Sequence, residues 1–400
     1  MSNVHSERAH ALLSASGAER WMECTPSARM EEEFPEESSP YAEEGTLAHE
    51  YAEAYIKSAT NAERQEVLNL EFNRVRTSKW YNEDFEMHVQ SYVSYVLSLM
   101  QYAKDVDPNA VILTEKRLDF SYFVKEGFGT GDFCAIAAQR GVVADLKFGK
   151  GVKKYAENNP QLMIYALGLL KEYEHLNILT FTLVIFQPRI EHIDTWEISR
   201  EDLLAWATTY LMPKARLAYE GKGELRVGTW CKFCKVKATC KGTYNAFKDL
   251  DAKRSKNDFS NDAIAYVLDV GAAISSYIAS VTALATERAL NGNPPSGYKV
   301  VAGKSSRKFT DVKQVEERLI LSGFPAHVIY NKELKSLTDI QKALGLKAFN
   351  AGLEDLITRS NAPKKLVPIS DKRPAITLAD DFNDLSEGFD DLDAYDGDDD

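Results

Sequence analysis

A mixed α/β (α+β) fold is predicted: a central mixed sheet flanked by helices, with helical additions and a C-terminal extension. Three observations predict it. The first hundred residues carry helical periodicity, residues 110–148 switch to short strand-like runs, and an apolar helix pattern then leads into two further strand patterns. The order is helix, three strands, helix, strand, strand, helix.

Residues 42–57 (AEEGTLAHEYAEAYIK) space their apolar side chains for one helix face, and residues 83–104 form a longer helical pattern rich in Tyr, Val and Leu. Residues 110–120, 129–139 and 141–148 are short apolar runs bounded by glycine and charge. They read as three strands, the last two joined as a hairpin over Gln139-Arg140-Gly141. Residues 159–173 read as an apolar helix with Pro160 in its first turn. Residues 178–187 read as a buried strand and 192–198 as its partner. A helical stretch at 257–290, a Pro/Gly break and a small α/β-like segment at 298–357 follow. The expected organisation is a main domain over 1–250, a helical and α/β extension over 251–360, and a linker with an acidic tail over 361–400.

The net charge of −12 is concentrated at one end. Residues 380–400 hold 11 acidic and no basic side chains, and without them residues 1–379 stand at −1. Such a run cannot bury enough apolar surface to fold and is expected to be disordered. Its Phe382, Leu385, Phe389, Leu392 and Tyr395 suit it to docking on a partner protein, with mimicry of DNA in a basic groove as the alternative to that preferred reading. A near-neutral body with local basic clusters such as Lys147, Lys150, Lys153 and Lys154 remains compatible with nucleic acid. The N-terminus lacks the apolar core of a secretory signal and no stretch reads as a membrane span, so a cytoplasmic location is expected.

Chemistry concentrates on two strands. Asp145 and Lys147 alternate along one strand and therefore project to the same side; hairpin pairing brings Asp132 beside them. Two carboxylates and an ammonium in apolar strands are costly to bury unless they bind something. A divalent metal satisfies the carboxylates, polarises a phosphate and activates water, with Lys147 orienting that water or offsetting phosphate charge. The plain alternative is an exposed Asp–Lys ion pair. Nearby stand His49, on a helix opened by Gly45-Thr46, and Gln161 with Tyr165, four apart on one helix face. Cys231, Cys234 and Cys240 have the C-x2-C-x5-C spacing of metal ligands and need a fourth. Cys134, in an apolar run, reads as a buried structural thiol.

Taken in order, Gly45-Thr46-Leu47-Ala48-His49, Gly129-Thr130-Gly131-Asp132, Asp145-Leu146-Lys147 and Gln161-Leu162-Met163-Ile164-Tyr165 resemble the PD-(D/E)XK nuclease superfamily, in its RecB-like branch. The resemblance covers residues 12–245 and implies a restriction-endonuclease-like core. It implies Mg2+ or Mn2+ held by His49, Asp132, Asp145 and the Leu146 carbonyl, with Lys147 catalytic and Gln161 and Tyr165 positioning DNA. Glu115 matches a commonly acidic position of that family. The stretch from Leu13 to Pro26 is similar to the opening of the iron–sulfur members, with Thr25 standing between Cys24 and the proline. Cys24 with Cys231, Cys234 and Cys240 then implies a [4Fe–4S] cluster; four thiolates suit structural Zn2+ as well. The residues around Asp145 and Gln161 look most like a phage family of such nucleases. The function so implied is a metal-dependent DNA nuclease, an exonuclease, in phage recombination, replication or end processing inside the bacterial host. The alternative is a DNA-binding or assembly factor that keeps the fold with little catalysis.

Overall fold

The computed structural model describes residues 11–35, 39–60, 65–252, 260–301, 312–322 and 329. Two compact units divide the chain at Ala302 and Gly303. In the first, helices α1 (Ala18–Glu23), α2 (Ser27–Glu31), α3 (Pro40–Thr60), α4 (Gln65–Arg76) and α5 (Glu83–Val106) precede three strands. These are β1 (Val111–Asp119), β2 (Phe128–Ala137) and β3 (Arg140–Leu146). Helix α6 (Pro160–Glu172) leads to β4 (Thr180–Gln187) and β5 (His192–Ser199). Helix α7 (Arg200–Trp206) runs through a wide turn at Ala207–Leu211 into α8 (Met212–Glu220), whose Pro213 cannot donate the backbone bond of a regular turn. Helices α9 (Lys241–Ala252) and α10 (Asn261–Leu290) complete the unit; in the second unit the described helix is α11 (Val312–Leu321). The predicted segment at 298–357 and the acidic tail lie for the most part outside the described residues.

The five strands form one mixed sheet in the order β1-β2-β3-β4-β5, antiparallel except for the β3–β4 pair. Helix α6 makes the crossover between those two parallel strands, as such a connection requires. Nine consecutive residues of α6, Leu162 to Leu170, are buried. A helix apolar on every side belongs inside, and this one lies in the core on one face of the sheet with α1, α7 and α8. Helices α3, α4 and α5 build a second core on the opposite face, around Tyr51, Phe85 and Phe133.

The β2–β3 hairpin departs from its predicted turn. The two turn residues are Ala138 and Gln139, both at positive φ (45° and 64°), and Arg140 already pairs with Ala137. A two-residue turn needs φ > 0 at both centres to match the strand twist. Ala and Gln occupy positions where Asn-Gly is the recognisable signal, so the turn was misplaced by one residue.

One helix carries more apolar surface than its reading suggested. Ile264–Leu290 in α10 is long and apolar enough, by length and composition, to cross a membrane. Val270, Ala273 and Ile274 of that helix are buried where α10 packs on the turns that carry the cysteines, while Leu268, Ile278 and Leu290 are exposed.

Candidate functional site

The pairing of β2 with β3 places Phe133 opposite Ala144, so the register sets Asp132 beside Asp145 one step further on. Cys134 and Val143 face the α6 side, and by alternation so do Asp132, Asp145 and Lys147. Beyond Asp132 the alternation breaks. Leu113 and Leu118 of β1 pack into the same core although five residues apart, where strict alternation would separate them. Between them Glu115 sits at φ 45°, a left-handed conformation that costs a non-glycine residue about 1–2 kcal/mol. That irregularity turns the Glu115 carboxylate toward Asp132 and His49.

His49 reaches this point from α3. Its Nδ1 lies 3.4 Å from Asp132 Oδ2 and 3.8 Å from Glu115 Oε1. One ligand atom from each of His49, Glu115 and Asp132 lies within 4.8 Å of the others, a spacing that could hold a metal ion. Asp132 Oδ2 also accepts the Leu146 amide at 2.7 Å, which fixes the carboxylate across the two strands.

Asp145 is engaged differently. Its Oδ1 accepts from Gln161 Nε2 at 2.8 Å, and the same amide's Oε1 accepts from Lys147 Nζ at 2.8 Å. The ammonium also stands 2.8 Å from Asp145 Oδ2 as an ion pair, though out of hydrogen-bond alignment, so that buried oxygen has no hydrogen-bond donor. Gln161 is presented by the first turn of α6. There the Asn159 side chain accepts from the amides of Gln161 and Leu162 at 3.1 and 3.3 Å. Tyr165, one turn on, is buried against β2. A side chain at Gly129 would meet its ring at 3.1 Å, so the glycine is what lets the tyrosine approach the strand.

The charges are mutually adjusted. Burial opposes the His49 cation, but Asp132 and then Glu115 outweigh it and hold its pKa well above the ordinary histidine range. Burial also opposes ionisation of Asp132, yet His49, Lys147 and the Leu146 amide keep its pKa low. Burial raises Asp145, against the pull of Lys147, and raises Glu115, against the pull of His49. Burial acts to lower Lys147, but Asp145 reverses the direction and keeps the ammonium charged. Two carboxylates around one histidine, with Asp145 beside Asp132 on the neighbouring strand, are a donor set that suits a hard divalent cation.

Tyr92 of α5 was missed at the sequence level. Its hydroxyl is buried without a hydrogen-bond partner, and burial followed by Asp132, Asp145 and Glu115 raises its pKa. A tyrosine inside an apolar helix pattern carries no signal of this.

Cys24, Cys231, Cys234 and Cys240 are free thiols that line one small cavity of about 20 Å³, closed by Arg20, Trp230 and Thr243 among others. Burial pushes the thiols of Cys24 and Cys231 up and that of Cys234 up to about 12. Such thiols stay protonated unless a cation compensates the thiolates. Cys134 lies elsewhere, fully buried in the core, and burial raises its thiol pKa.

A family model described as "Protein of unknown function (DUF2800)" matches residues 10–374. Among solved structures, one titled "Crystal structure of SSO0001" is similar at 16% identity, covering 55% of this chain and 95% of that chain, with a TM-score of 0.22. A likeness that slight carries no argument.

Proposed function

We propose that this chain, which belongs to the DUF2800 family, is a Mg2+- or Mn2+-dependent deoxyribonuclease of the PD-(D/E)XK type, RecB-like branch. One observation carries the reading: His49, Glu115, Asp132, Asp145, Lys147 and Gln161, drawn from five separate elements, converge around one sheet end. A structural ion pair needs two groups, whereas this arrangement brings together six.

His49, Glu115 and Asp132 are the residues that would hold the cation, with Asp145 beside them. When bound, a divalent cation supplies Lewis acidity toward a phosphate oxygen. Lys147, kept charged by Asp145, stabilises negative charge that builds on the phosphate during hydrolysis. Gln161 holds the lysine and the aspartate in fixed relation, because its amide is bonded at both ends. Asp132, anchored by the Leu146 amide, keeps its position as charge changes around it.

The four thiols belong to the same proposal as a metal centre joining the two ends of the nuclease body. The family resemblance favours iron–sulfur, and four thiolates suit zinc as well. Metal analysis and visible absorbance distinguish them: broad absorbance with bound iron, or a colourless protein with one zinc. The acidic segment from Asp380 is proposed to recruit a partner protein.

The direct test is digestion of end-labelled and circular DNA by anaerobically purified protein with Mg2+ or Mn2+. Asp145→Ala and Lys147→Ala should each abolish cleavage while the protein stays folded. No cleavage by the wild type, or a wild-type rate from Asp145→Ala, overturns the reading.

A further inference from the structure

Next to the acidic cluster, a cleft of about 210 Å³ opens between the turn before α1, the start of α6 and the turn bearing Cys231 and Cys234. Its walls combine two chemistries. Lys147, Lys154 and Arg20 bring cationic groups, ion-paired to Asp145, Glu19 and Glu31, while Trp230 and Phe233 bring aromatic surface. Lys147 and Gln161 line this cleft and also bond within the acidic cluster, so the two spaces are continuous.

We infer that the cleft seats the terminal nucleotides of a single-stranded polynucleotide, with a base stacked on Phe233 and Trp230 and the backbone phosphates on Lys154 and Arg20. The strand then arrives at Lys147. The inference rests on the nuclease reading for its direction toward Lys147, while binding itself is independent of it.

A solvent-exposed phenylalanine is ordinary when isolated. Phe233 is 65% exposed, yet it lines a cleft with three cations beside a candidate catalytic lysine. Stacking platforms joined to a positive groove are how proteins hold single strands without reading their sequence. The platform is preset. The Trp230 indole donates to the Arg226 carbonyl at 3.0 Å, and Arg20 donates to the Phe233 carbonyl at 3.5 Å. On the next residue but one, the Lys235 amide donates to Glu31 at 2.8 Å. The cleft, at about 210 Å³, is smaller than the roughly 300 Å³ of typical small-molecule pockets, which suits one base with its phosphate at the open mouth.

Glu19 also lines the cleft and pairs with Lys154 at 2.9 Å. Both partners are well exposed, at 37% and 50% of their side chains, and such a pair contributes little. A phosphate would take the place of the Glu19 carboxylate. This gives a variant that should strengthen binding, an effect that misfolding cannot mimic.

The test is fluorescence anisotropy of the full chain with labelled oligodeoxythymidylate, without added Mg2+ or Mn2+. Phe233→Ala should weaken binding about tenfold, Phe233→Tyr should restore it, and Glu19→Gln should tighten it several-fold. On an oligonucleotide with abasic terminal residues, wild type and Phe233→Ala should bind alike. Unchanged affinity in both Phe233→Ala and Glu19→Gln overturns the inference, as does an equal Phe233→Ala loss on the abasic strand or on blunt duplex. Phe233-dependent binding without cleavage in Mg2+ or Mn2+ would sink the nuclease reading and keep the cleft. Cleavage without Phe233-dependence would sink the cleft alone.

Discussion

At the scale of single residues, His49 and a metal ion compete for the same electron pair. The neighbouring carboxylates hold the His49 pKa above the ordinary range, so near neutral pH the metal-free imidazole carries a proton. A cation must displace that proton, and its affinity therefore rises with pH until the raised pKa is passed. The expected gain is up to about tenfold per pH unit below that raised pKa. Mn2+ titration by calorimetry, in buffers of different ionisation enthalpy, should register the released proton; affinity that ignores pH would remove His49 from the ligand set. Glu115 has the opposite thermodynamic character. Its pKa is raised by burial, so the metal-free protein loses stability as pH climbs from the unfolded carboxyl value through the raised one. Removing that charge should stabilise the metal-free protein and weaken metal binding. Glu115→Gln is accordingly expected to raise the metal-free Tm by about 2–4 °C while loosening Mn2+ at least tenfold. A lower Tm with unchanged metal affinity would mean that the carboxylate serves the fold rather than the site.

At the scale of elements, α6 sets the spacing of the site. Asn159 caps its first turn, and the next residue but one is Gln161, which grips both Asp145 and Lys147. Asn159→Ala should cost about 1 kcal/mol of stability and slow cleavage by more than that loss of folded protein explains. Asn159→Asp keeps the capping oxygen and should recover the stability in a denaturant titration. If the alanine variant cleaves at wild-type rate, Gln161 is positioned by its own bonds alone. Much of this was legible beforehand. Short apolar runs bounded by glycine and charge marked the first three strands, an apolar run marked the fourth, and Pro160 behind Asn159 marked the start of α6, because such signals are local properties of the chain. Glu115 was legible only through resemblance. Its left-handed φ arises inside a run that reads as an unbroken strand, and no glycine announces it. Trp230, Phe233 and Lys154 were not grouped at all, since their meeting depends on how the cysteine-bearing turns fold back over the N-terminus. Long-range closure of that kind leaves no periodic trace.

At the scale of the whole molecule, the segment around Glu23–Arg29 and the segment around Tyr219–Arg226 are stitched together more than once. Thr25 donates to the Lys222 carbonyl at 2.6 Å, Arg29 to the Tyr219 carbonyl at 2.7 Å, and Arg226 pairs with Glu23 at 2.9 Å. Thr25, which interrupts the expected Cys-Pro step, is thus itself a tie. Each such contact contributes on the order of 1 kcal/mol, whereas a shared metal contributes several. The two kinds of tie predict different arithmetic. If Cys24, Cys231, Cys234 and Cys240 hold one ion or cluster, losing any thiolate loses most of the benefit, and a second loss adds little. Cys24→Ser and Cys240→Ser should each lower Tm by roughly 5 °C or more, and the double variant should fall hardly further. Independent buried thiols would instead give losses that add. The cycle is read by thermal melts alongside metal content, which should drop together in both single variants. Additive losses with unchanged metal content would leave the cavity as an ordinary packed core. The joining of these segments would then rest on contacts such as those of Thr25, Arg29 and Glu23.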